Sequence, residues 1–277
     1  MIRDLERGKI VSKFLVGILT TRNVEKLERC IKSVNTEDAH IVVVVNSPDK
    51  DYYGNVKSIC DLHGISVVET ECNGTPGKGK NSVLDYFLNT KSYEYLIPID
   101  GDDFYENGAL KSLLRYVTIL EPDETPDVIG QLENKMTYEG KETTWEEFSR
   151  ILSSSTFAAK SKKNWRMLKQ LNKLTEDILP FNRFLVLSSH AAKSFRYNEE
   201  LKAADDYLAM FELYSQTPKI NYFLLRDESL YHYDLQDGGT LHSFVSEDNA
   251  ENMIPFFEKV NALDFSISKS IEFGTMK

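Results

Sequence analysis

Three carboxylates lie within four consecutive residues of this 277-residue chain, Asp100-Gly101-Asp102-Asp103. They follow the apolar run Tyr95–Ile99, which predicts a buried strand. Carboxylates this close repel one another unless a cation lies between them. Mn²⁺ and Mg²⁺ prefer oxygen ligands and often bind one or two carboxylates together with a substrate phosphate. The segment therefore predicts a divalent-metal site, although a solvated turn that caps the next helix would use the same residue types.

A glycine-rich segment, residues 73–81, precedes an amphipathic helical pattern and carries Lys78 and Lys80. Backbone N–H groups and lysines in such a loop can bind phosphate. The segment has neither the Gly-x-x-x-x-Gly-Lys-Ser/Thr nor the Gly-x-Gly-x-x-Gly spacing. Taken alone, it is better explained as a flexible turn.

Two later segments carry further candidate groups. Asp205 and Asp206 are adjacent carboxylates within a helical pattern over 199–214, where they either complement the helix dipole or supply a general base. His242 follows two glycines, and a neutral imidazole suits a metal ion or a phosphate. The dipole role and an ordinary loop histidine are the more common explanations of these two patterns.

Alternating strands and helices must position these groups. Apolar runs predict strands at 14–19, 41–45, 65–68 and 95–99. Helical spacing predicts helices at 24–34, with Asn23 as its N-cap, at 53–62 and through 83–88. This order predicts an α/β fold with an open, mostly parallel sheet and helices on both faces. Ligands of such sheets bind beyond the carboxyl ends of the strands, where the residues 100–103 would lie.

Composition argues against several classes of function. A formal charge of −10 disfavours nucleic acid as a partner, unless the basic run Lys160–Lys173, more simply a solvated helix face, contacts it. The longest apolar runs fall far short of the ~20 residues that cross a bilayer, so we expect no integral membrane segment. Three cysteines without a Cys-x-x-Cys pair favour reduced thiols and a cytoplasmic location.

In order along the chain, these segments resemble the nucleotide-sugar-dependent glycosyltransferases of the GT-A-fold family 2. Residues 17–23 resemble the family's first strand and its polar end, and residues 27–34 its Leu…Cys-Ile-x-Ser-Val helix. The stretch 73–81 resembles Asn-x-Gly…Ala-Arg-Asn with a lysine for the usual arginine, and residues 100–103 match Asp-x-Asp-Asp in full. Besides this lysine, two further positions depart from the family pattern, since Asn46 replaces an aspartate and Asp205 replaces a glutamate.

The resemblance implies a GT-A (Rossmann-like) fold with one catalytic domain over residues 1–245. Its nucleotide-sugar-binding half would be 12–115 and its variable acceptor-side half 116–245, followed by a C-terminal helical extension at 246–277. It also implies a metal-dependent, inverting enzyme. This enzyme would transfer a sugar from a nucleoside-diphosphate sugar, with a UDP-sugar favoured, to a hydroxyl of a glycan or another acceptor.

The resemblance also assigns roles to single residues. Asp206, together with Asp205, would be the catalytic base. The ligands of Mn²⁺ or Mg²⁺ would be Asp102, Asp100, Asp103 and His242. The nucleotide-sugar would contact Thr20, Thr21, Asn23, Asn46, Ser47, Gly77, Lys80, Asn81, Asp100, Gly101 and Asp102.

Two other functions use similar residues. A nucleotidyltransferase acting on sugar phosphates also needs carboxylate-bound Mg²⁺, but it usually has a glycine-rich loop after the first strand, whereas residues 20–23 contain no glycine. A degenerate, non-catalytic GT-A-like binding module would fit the changes at Asn46 and Asp205. The three carboxylates of residues 100–103 argue against this second alternative.

Overall fold

A computed structural model describes the chain in several stretches. They are residues 2–3, 10–120, 125–132, 135–138, 140–144, 183–216, 220–226, 230–235, 250–265 and 271–276, with a few single positions between 147 and 174. His242 and most of the basic run at 160–173 lie outside the described residues.

The strands and helices alternate through the first half of the chain. The strands in the described stretches are β1 (Ile2–Arg3), β2 (Ile10–Val11), β3 (Phe14–Thr20), β4 (Ala39–Val45), β5 (Ser66–Glu69), β6 (Tyr95–Asp100), β7 (Phe104–Tyr105), β8 (Val128–Gln131), β9 (Lys135–Tyr138), β10 (Lys141–Thr143), β11 (Phe184–Ser188), β12 (Tyr222–Leu225), β13 (Tyr231–Leu235) and β14 (Ile271–Gly274). The helices are α1 (Val24–Val34), α2 (Lys50–His63), α3 (Pro76–Thr90), α4 (Ala109–Ile119), α5 (Ser189–Lys193), α6 (Asp205–Gln216) and α7 (Ile254–Asn261), with a 3₁₀ turn at Ala250–Met253.

A mixed, mostly parallel sheet forms the centre of the molecule, in the order β14-β12-β8-β11-β6-β3-β4-β5. Only β11 runs antiparallel to its two neighbours. Side chains of β3 alternate between two cores: Leu15 and Leu19 pack on the side of α3 and α6, whereas Val16 and Ile18 pack on the side of α1, α2 and α4. The predicted α/β sheet with helices on both faces is therefore confirmed, and none of the described helices is long and apolar enough to cross a bilayer.

A smaller sheet, in the order β10-β9-β13-β7, lies next to the carboxylate segment. Its strand β7 starts at Phe104, directly after Asp103, and pairs antiparallel with β13 through Tyr105 and Tyr231. Residues 100–103 therefore connect strand β6 of the large sheet to strand β7 of the small sheet.

The predicted loop over 73–81 is wrong for its second half, because α3 begins at Pro76. The glycines in this helix have a packing reason. A Cβ at Gly77 would lie 2.3 Å from the backbone oxygen of Asn198, and one at Gly79 would lie 2.4 Å from Leu19 Cδ1. Glycine therefore lets the start of α3 approach both the sheet and the segment before α6.

Two other boundaries differ from the sequence prediction. Helix α6 begins at Asp205 rather than at Glu199, directly after Ala204, whose φ of 58° is left-handed. Within residues 246–277, where the sequence predicts a helical extension, the structure has α7 and also β14, which pairs parallel with β12 at the sheet edge. A four-residue strand after a short helix gave too weak a pattern to be recognised from the sequence.

Helix α3 offers a test of this packing. We expect Gly77→Ala to destabilise the fold by roughly 1–3 kcal/mol, because the new methyl group meets backbone atoms that cannot move independently. Gly54→Ala is the matched control within α2, where a Cβ has no neighbour within 4 Å. This control should stabilise the fold by about 0.5–1 kcal/mol through helix propensity. Urea unfolding measures both values, and equal effects would contradict the packing role of Gly77.

Candidate active site

The carboxyl ends of β3, β4 and β6 meet at one edge of the large sheet. The Asn46 N–H donates to Thr20 O at 2.9 Å, and the Gly101 N–H donates to Leu19 O at 2.7 Å. A Cβ at Gly101 would lie 3.0 Å from Thr20 Cβ, so glycine is needed for this close approach. The fold thus brings together Thr20, Asn46 and Gly101, three residues that the sequence placed in one nucleotide-sugar site.

Other predicted contact residues are used within the protein. The Asn23 side chain accepts from Lys26 N at 3.0 Å and caps α1, which confirms its predicted capping role. Asn81 donates to Tyr197 O at 2.9 Å and accepts from Tyr197 N at 2.9 Å, so it holds the segment before α6. Gly77 packs on that same segment. Asn81 and Gly77 therefore hold the segment before α6 against α3, and Asn23 orders the start of α1.

The remaining predicted contacts lie at the ends of β3 and β4. Asn46 is buried, and its Nδ2 donates to Thr75 O at 2.9 Å. Ser47 is also buried and accepts from Asp49 N at 3.3 Å. The Thr20 hydroxyl is hydrogen-bonded to the Tyr52 hydroxyl, whereas Thr21 is exposed.

Asp103 is a structural residue, contrary to its predicted role as a metal ligand. Its side chain is 1% exposed, and both of its oxygens accept hydrogen bonds, from Tyr231 OH at 2.6 Å and from Asp234 N at 2.9 Å. Burial raises the pKa of Asp103 well above its usual value, while Arg183 opposes this shift and Asp102 adds to it. Asp103 therefore fastens β13 to the turn and has no free oxygen directed at a metal.

Asp102 is the open carboxylate of the turn. It forms no ion pair with any described residue, and its backbone oxygen accepts from Arg29 Nη2 at 2.7 Å. Burial and the neighbouring charge of Asp100 both raise the pKa of Asp102. A divalent cation would relieve that repulsion, so the turn fits an ion that binds one or two carboxylates and a substrate phosphate.

The described residues do not form a metal cage made of protein alone. Across these stretches, no group of three or more His, Cys, Asp or Glu side chains is placed to bind one ion. Asp100 is the other accessible carboxylate of the turn, but one of its oxygens already pairs with an arginine. Water or substrate oxygens would complete the coordination of a metal at Asp102.

Arg183 is a site residue that sequence reasoning missed. Strand β11 pairs Leu187 with Leu96 of the antiparallel β6, and extending this register brings Arg183 level with Asp100. The Arg183 Nη1 atom lies 3.2 Å from Asp100 Oδ2 and 3.4 Å from Asp103 Oδ2. Burial by itself would raise the pKa of Asp100, but Arg183 and Lys80 hold it below its usual value. The only sequence signal was an arginine directly before an apolar run.

A second ion cluster supports the turn from the other side. Arg29 Nη2 donates to Asp234 Oδ2 at 2.6 Å, and the Arg29 guanidinium lies 4.3 Å from the centre of the Phe104 ring. Lys26 Nζ lies 3.7 Å from the same Asp234 oxygen, and the Asp234 side chain has no exposed surface. Helix α1 and strand β13 are thereby tied to the backbone of Asp102.

The two adjacent aspartates of α6 have different environments. Lys80 Nζ lies 3.0 Å from Asp205 Oδ2 and 3.9 Å from Asp206 Oδ2. The Asp205 side chain is 3% exposed, and burial raises its pKa to about 6, with Lys80 opposing and Asp206 adding to the shift. The Asp206 side chain is 34% exposed. Asp206 is therefore the accessible carboxylate, and Asp205 is the buried partner of Lys80.

A cavity opens between the sheet, α3 and α6. Its charged lining residues are Lys80, Asp100, Arg183 and Asp206. The rest of its wall is mainly apolar and is formed by Gly17, Leu19, Val83, Leu84, Leu96, Pro98, Ile99, Phe184, Tyr197 and Met210. Asp100 of the carboxylate turn and the accessible Asp206 of α6 thus face one space.

Comparison with known proteins agrees with this geometry. The family model described as Glycosyl transferase family 2 matches residues 16–178, which is more than half of the chain. No curated protein matches the chain.

Among solved structures, that of S. aureus TarS aligns with a TM-score of 0.52 and 21% identity, over 80% of this chain and 37% of that chain. The structure of S. aureus TarS 1-349 in complex with UDP also gives a TM-score of 0.52 and 21% identity, over 81% of this chain and 61% of that chain. This chain therefore spans much less than the full length of TarS. At this level of identity the likeness shows a shared fold, and the family match shows that the chain belongs to glycosyl transferase family 2, with the GT-A fold that its sequence resemblance implied.

Proposed function

We propose that this chain transfers a sugar from a nucleoside-diphosphate sugar to an acceptor hydroxyl. The observation that carries the proposal is that two accessible carboxylates, Asp100 of the turn and Asp206 of α6, line one cavity. A transfer of this kind needs one group for the diphosphate and another for the acceptor proton. Membership of glycosyl transferase family 2 supports the same reaction, and the solved complex of TarS 1-349 with UDP favours a uridine nucleotide.

Asp102 would hold Mn²⁺ or Mg²⁺ beside the donor diphosphate, and the Asp100 oxygen that does not pair with Arg183 would be left for the donor itself. When bound, such an ion acts as a Lewis acid that neutralises charge on the departing diphosphate. Thr20, Asn46 and Ser47 lie at the ends of β3 and β4 and would border the nucleoside. Arg29 holds the backbone of Asp102 in place for this role.

Asp206 would act as the general base. Its carboxylate takes the proton of the acceptor hydroxyl while the hydroxyl oxygen forms a bond to the anomeric carbon. The bond from that carbon to the diphosphate oxygen breaks, and its electrons leave with the nucleoside diphosphate. Attack from the opposite face inverts the anomeric configuration. Asp205 is too deeply buried to contact a substrate. With Lys80 it would instead hold the adjacent Asp206 in position.

Nucleotide and metal binding can be tested together by thermal unfolding. We expect UDP with Mn²⁺ to raise the melting temperature and EDTA to remove this effect, because a ligand of the native state stabilises it by mass action. Asp102→Asn should abolish the metal-dependent part of the shift. Asp61→Asn is the matched control, since Asp61 lies on the exposed surface of α2 and pairs with Lys57. If UDP raises the melting temperature equally with and without EDTA, and equally in the wild type and in Asp102→Asn, the proposed metal site is contradicted.

The catalytic base can be tested by measuring the kinetics of sugar transfer with a UDP-sugar as donor. Asp206→Asn should lower kcat by roughly 10²–10⁴-fold, because general-base catalysis contributes about that much. Its affinity for UDP should remain that of the wild type. Glu200→Gln is the control, as the Glu200 side chain is 85% exposed. Unchanged kcat in Asp206→Asn would contradict the assignment, and release of pyrophosphate would indicate a nucleotidyltransferase.

A further inference from the structure

Arg183 uses only one of its three guanidinium nitrogens in the contacts already described. Nη1 makes the ion pairs with Asp100 and Asp103 and the hydrogen bond with Tyr231 OH. Nε and Nη2 donate to no described residue, and neither is among the buried polar atoms that lack a partner. Arg183 lines the cavity and its side chain is 12% exposed, so these two nitrogens are the donors that it has left for an occupant.

Asp100 leaves a complementary group free beside that edge. Its ion pair with Arg183 involves Oδ2, whereas Oδ1 accepts from no described residue and is not sealed from solvent. The Asp100 side chain is 29% exposed. The cavity therefore presents an acceptor from Asp100 next to a pair of donors from Arg183.

The charge balance of the cavity disfavours an anionic occupant. Lys80 lies between Asp205 and Asp206, so its charge is balanced within the protein, as that of Arg183 is by Asp100 and Asp103. The two cations of the lining lie within ion-pair distance of four carboxylates, Asp100 and Asp103 beside Arg183 and Asp205 and Asp206 beside Lys80. A neutral ligand with both hydrogen-bond donors and acceptors suits this cavity better than a phosphate or a carboxylate does. Two adjacent hydroxyl groups of a sugar have that chemistry.

We propose that Arg183 is a specificity-determining residue that binds the donor sugar through its hydroxyl groups. One hydroxyl accepts from the free guanidinium edge, and its neighbour donates to Asp100. The sugar is that of the donor rather than of the acceptor, because Asp100 belongs to the same turn as Asp102, beside which the donor diphosphate would lie. This inference rests on the proposed function and adds to it a residue that selects the transferred group.

The test compares the affinity of the protein for each sugar nucleotide with its affinity for the corresponding nucleoside diphosphate. Calorimetry in the presence of Mn²⁺ would measure the Kd values of UDP, UDP-glucose, UDP-N-acetylglucosamine, GDP and GDP-mannose. For the best donor, we expect the wild type to bind the sugar nucleotide more tightly than the diphosphate. Arg183→Lys should reduce this gain roughly tenfold and leave the Kd of the diphosphate unchanged, since a hydrogen bond to a charged group contributes about that factor.

Lysine is the informative replacement. Arg183→Gln leaves Asp100 and Asp103 without their cation and threatens folding, whereas Arg183→Lys keeps the charge and loses the planar fork. Arg196→Lys is the matched control, because Arg196 is half exposed and pairs with Asp85 on the outer surface of α3.

Three results would overturn the inference. The first is that Arg183→Lys keeps the full gain in affinity of the sugar nucleotide over its diphosphate. The second is that Arg183→Lys weakens binding of the diphosphate and of the sugar nucleotide equally. The third is that the wild type binds UDP or GDP but binds no sugar nucleotide more tightly than the corresponding diphosphate. In all three the proposed nucleotide site still stands. Absence of any nucleotide binding by the wild type would instead remove the proposed function itself, and this inference with it.

Discussion

The burial of carboxylates at one sheet edge is the constraint on which the rest of this structure depends. Asp103, Asp205 and Asp234 are each at most 4% exposed, and a buried carboxylate is costly unless it is paired and hydrogen-bonded. The pairing cations come from distant parts of the chain, Lys80 from α3, Arg183 from the start of β11 and Arg29 from α1. Removing one partner of such a pair typically costs about 3–5 kcal/mol, so folding to this arrangement strongly favours one relative placement of these segments.

This pairing also separates structural carboxylates from accessible ones. Within the turn, Asp103 is fully bonded and Asp102 is not. Within α6, Asp205 is covered by Lys80 while Asp206 faces the cavity. In each pair the buried aspartate is directly next to the accessible one in sequence, so holding the first fixes the backbone of the second. Rigid positioning of this kind is what a displacement between two bound substrates requires.

Local patterns predicted the scaffold well and the site only in part. The strands β3, β4 and β6 and the helix α1 with its Asn23 cap follow from apolar periodicity and capping chemistry, which are properties of neighbouring residues. Gly77 and Gly79 resembled a loop because their reason lies in contacts with Asn198 and Leu19, which are distant in sequence. The role of Arg183 depends on an antiparallel register, and that of Asp103 on β13, so neither was readable from spacing alone.

The lysine at position 80 bears on how the site divides its positive charge. The family resemblance expects an arginine there, whose planar fork can serve two oxygens at once. Lys80 carries a compact ammonium charge, which lies against the two aspartates of α6. The guanidinium group of the site comes instead from Arg183, before β11, and pairs with Asp100. The cavity thus keeps a guanidinium and an ammonium group, but on separate walls. The guanidinium edge without a described partner lies on the wall formed by β6 and the start of β11, so on the proposal above discrimination among donor sugars rests with that wall rather than with α3.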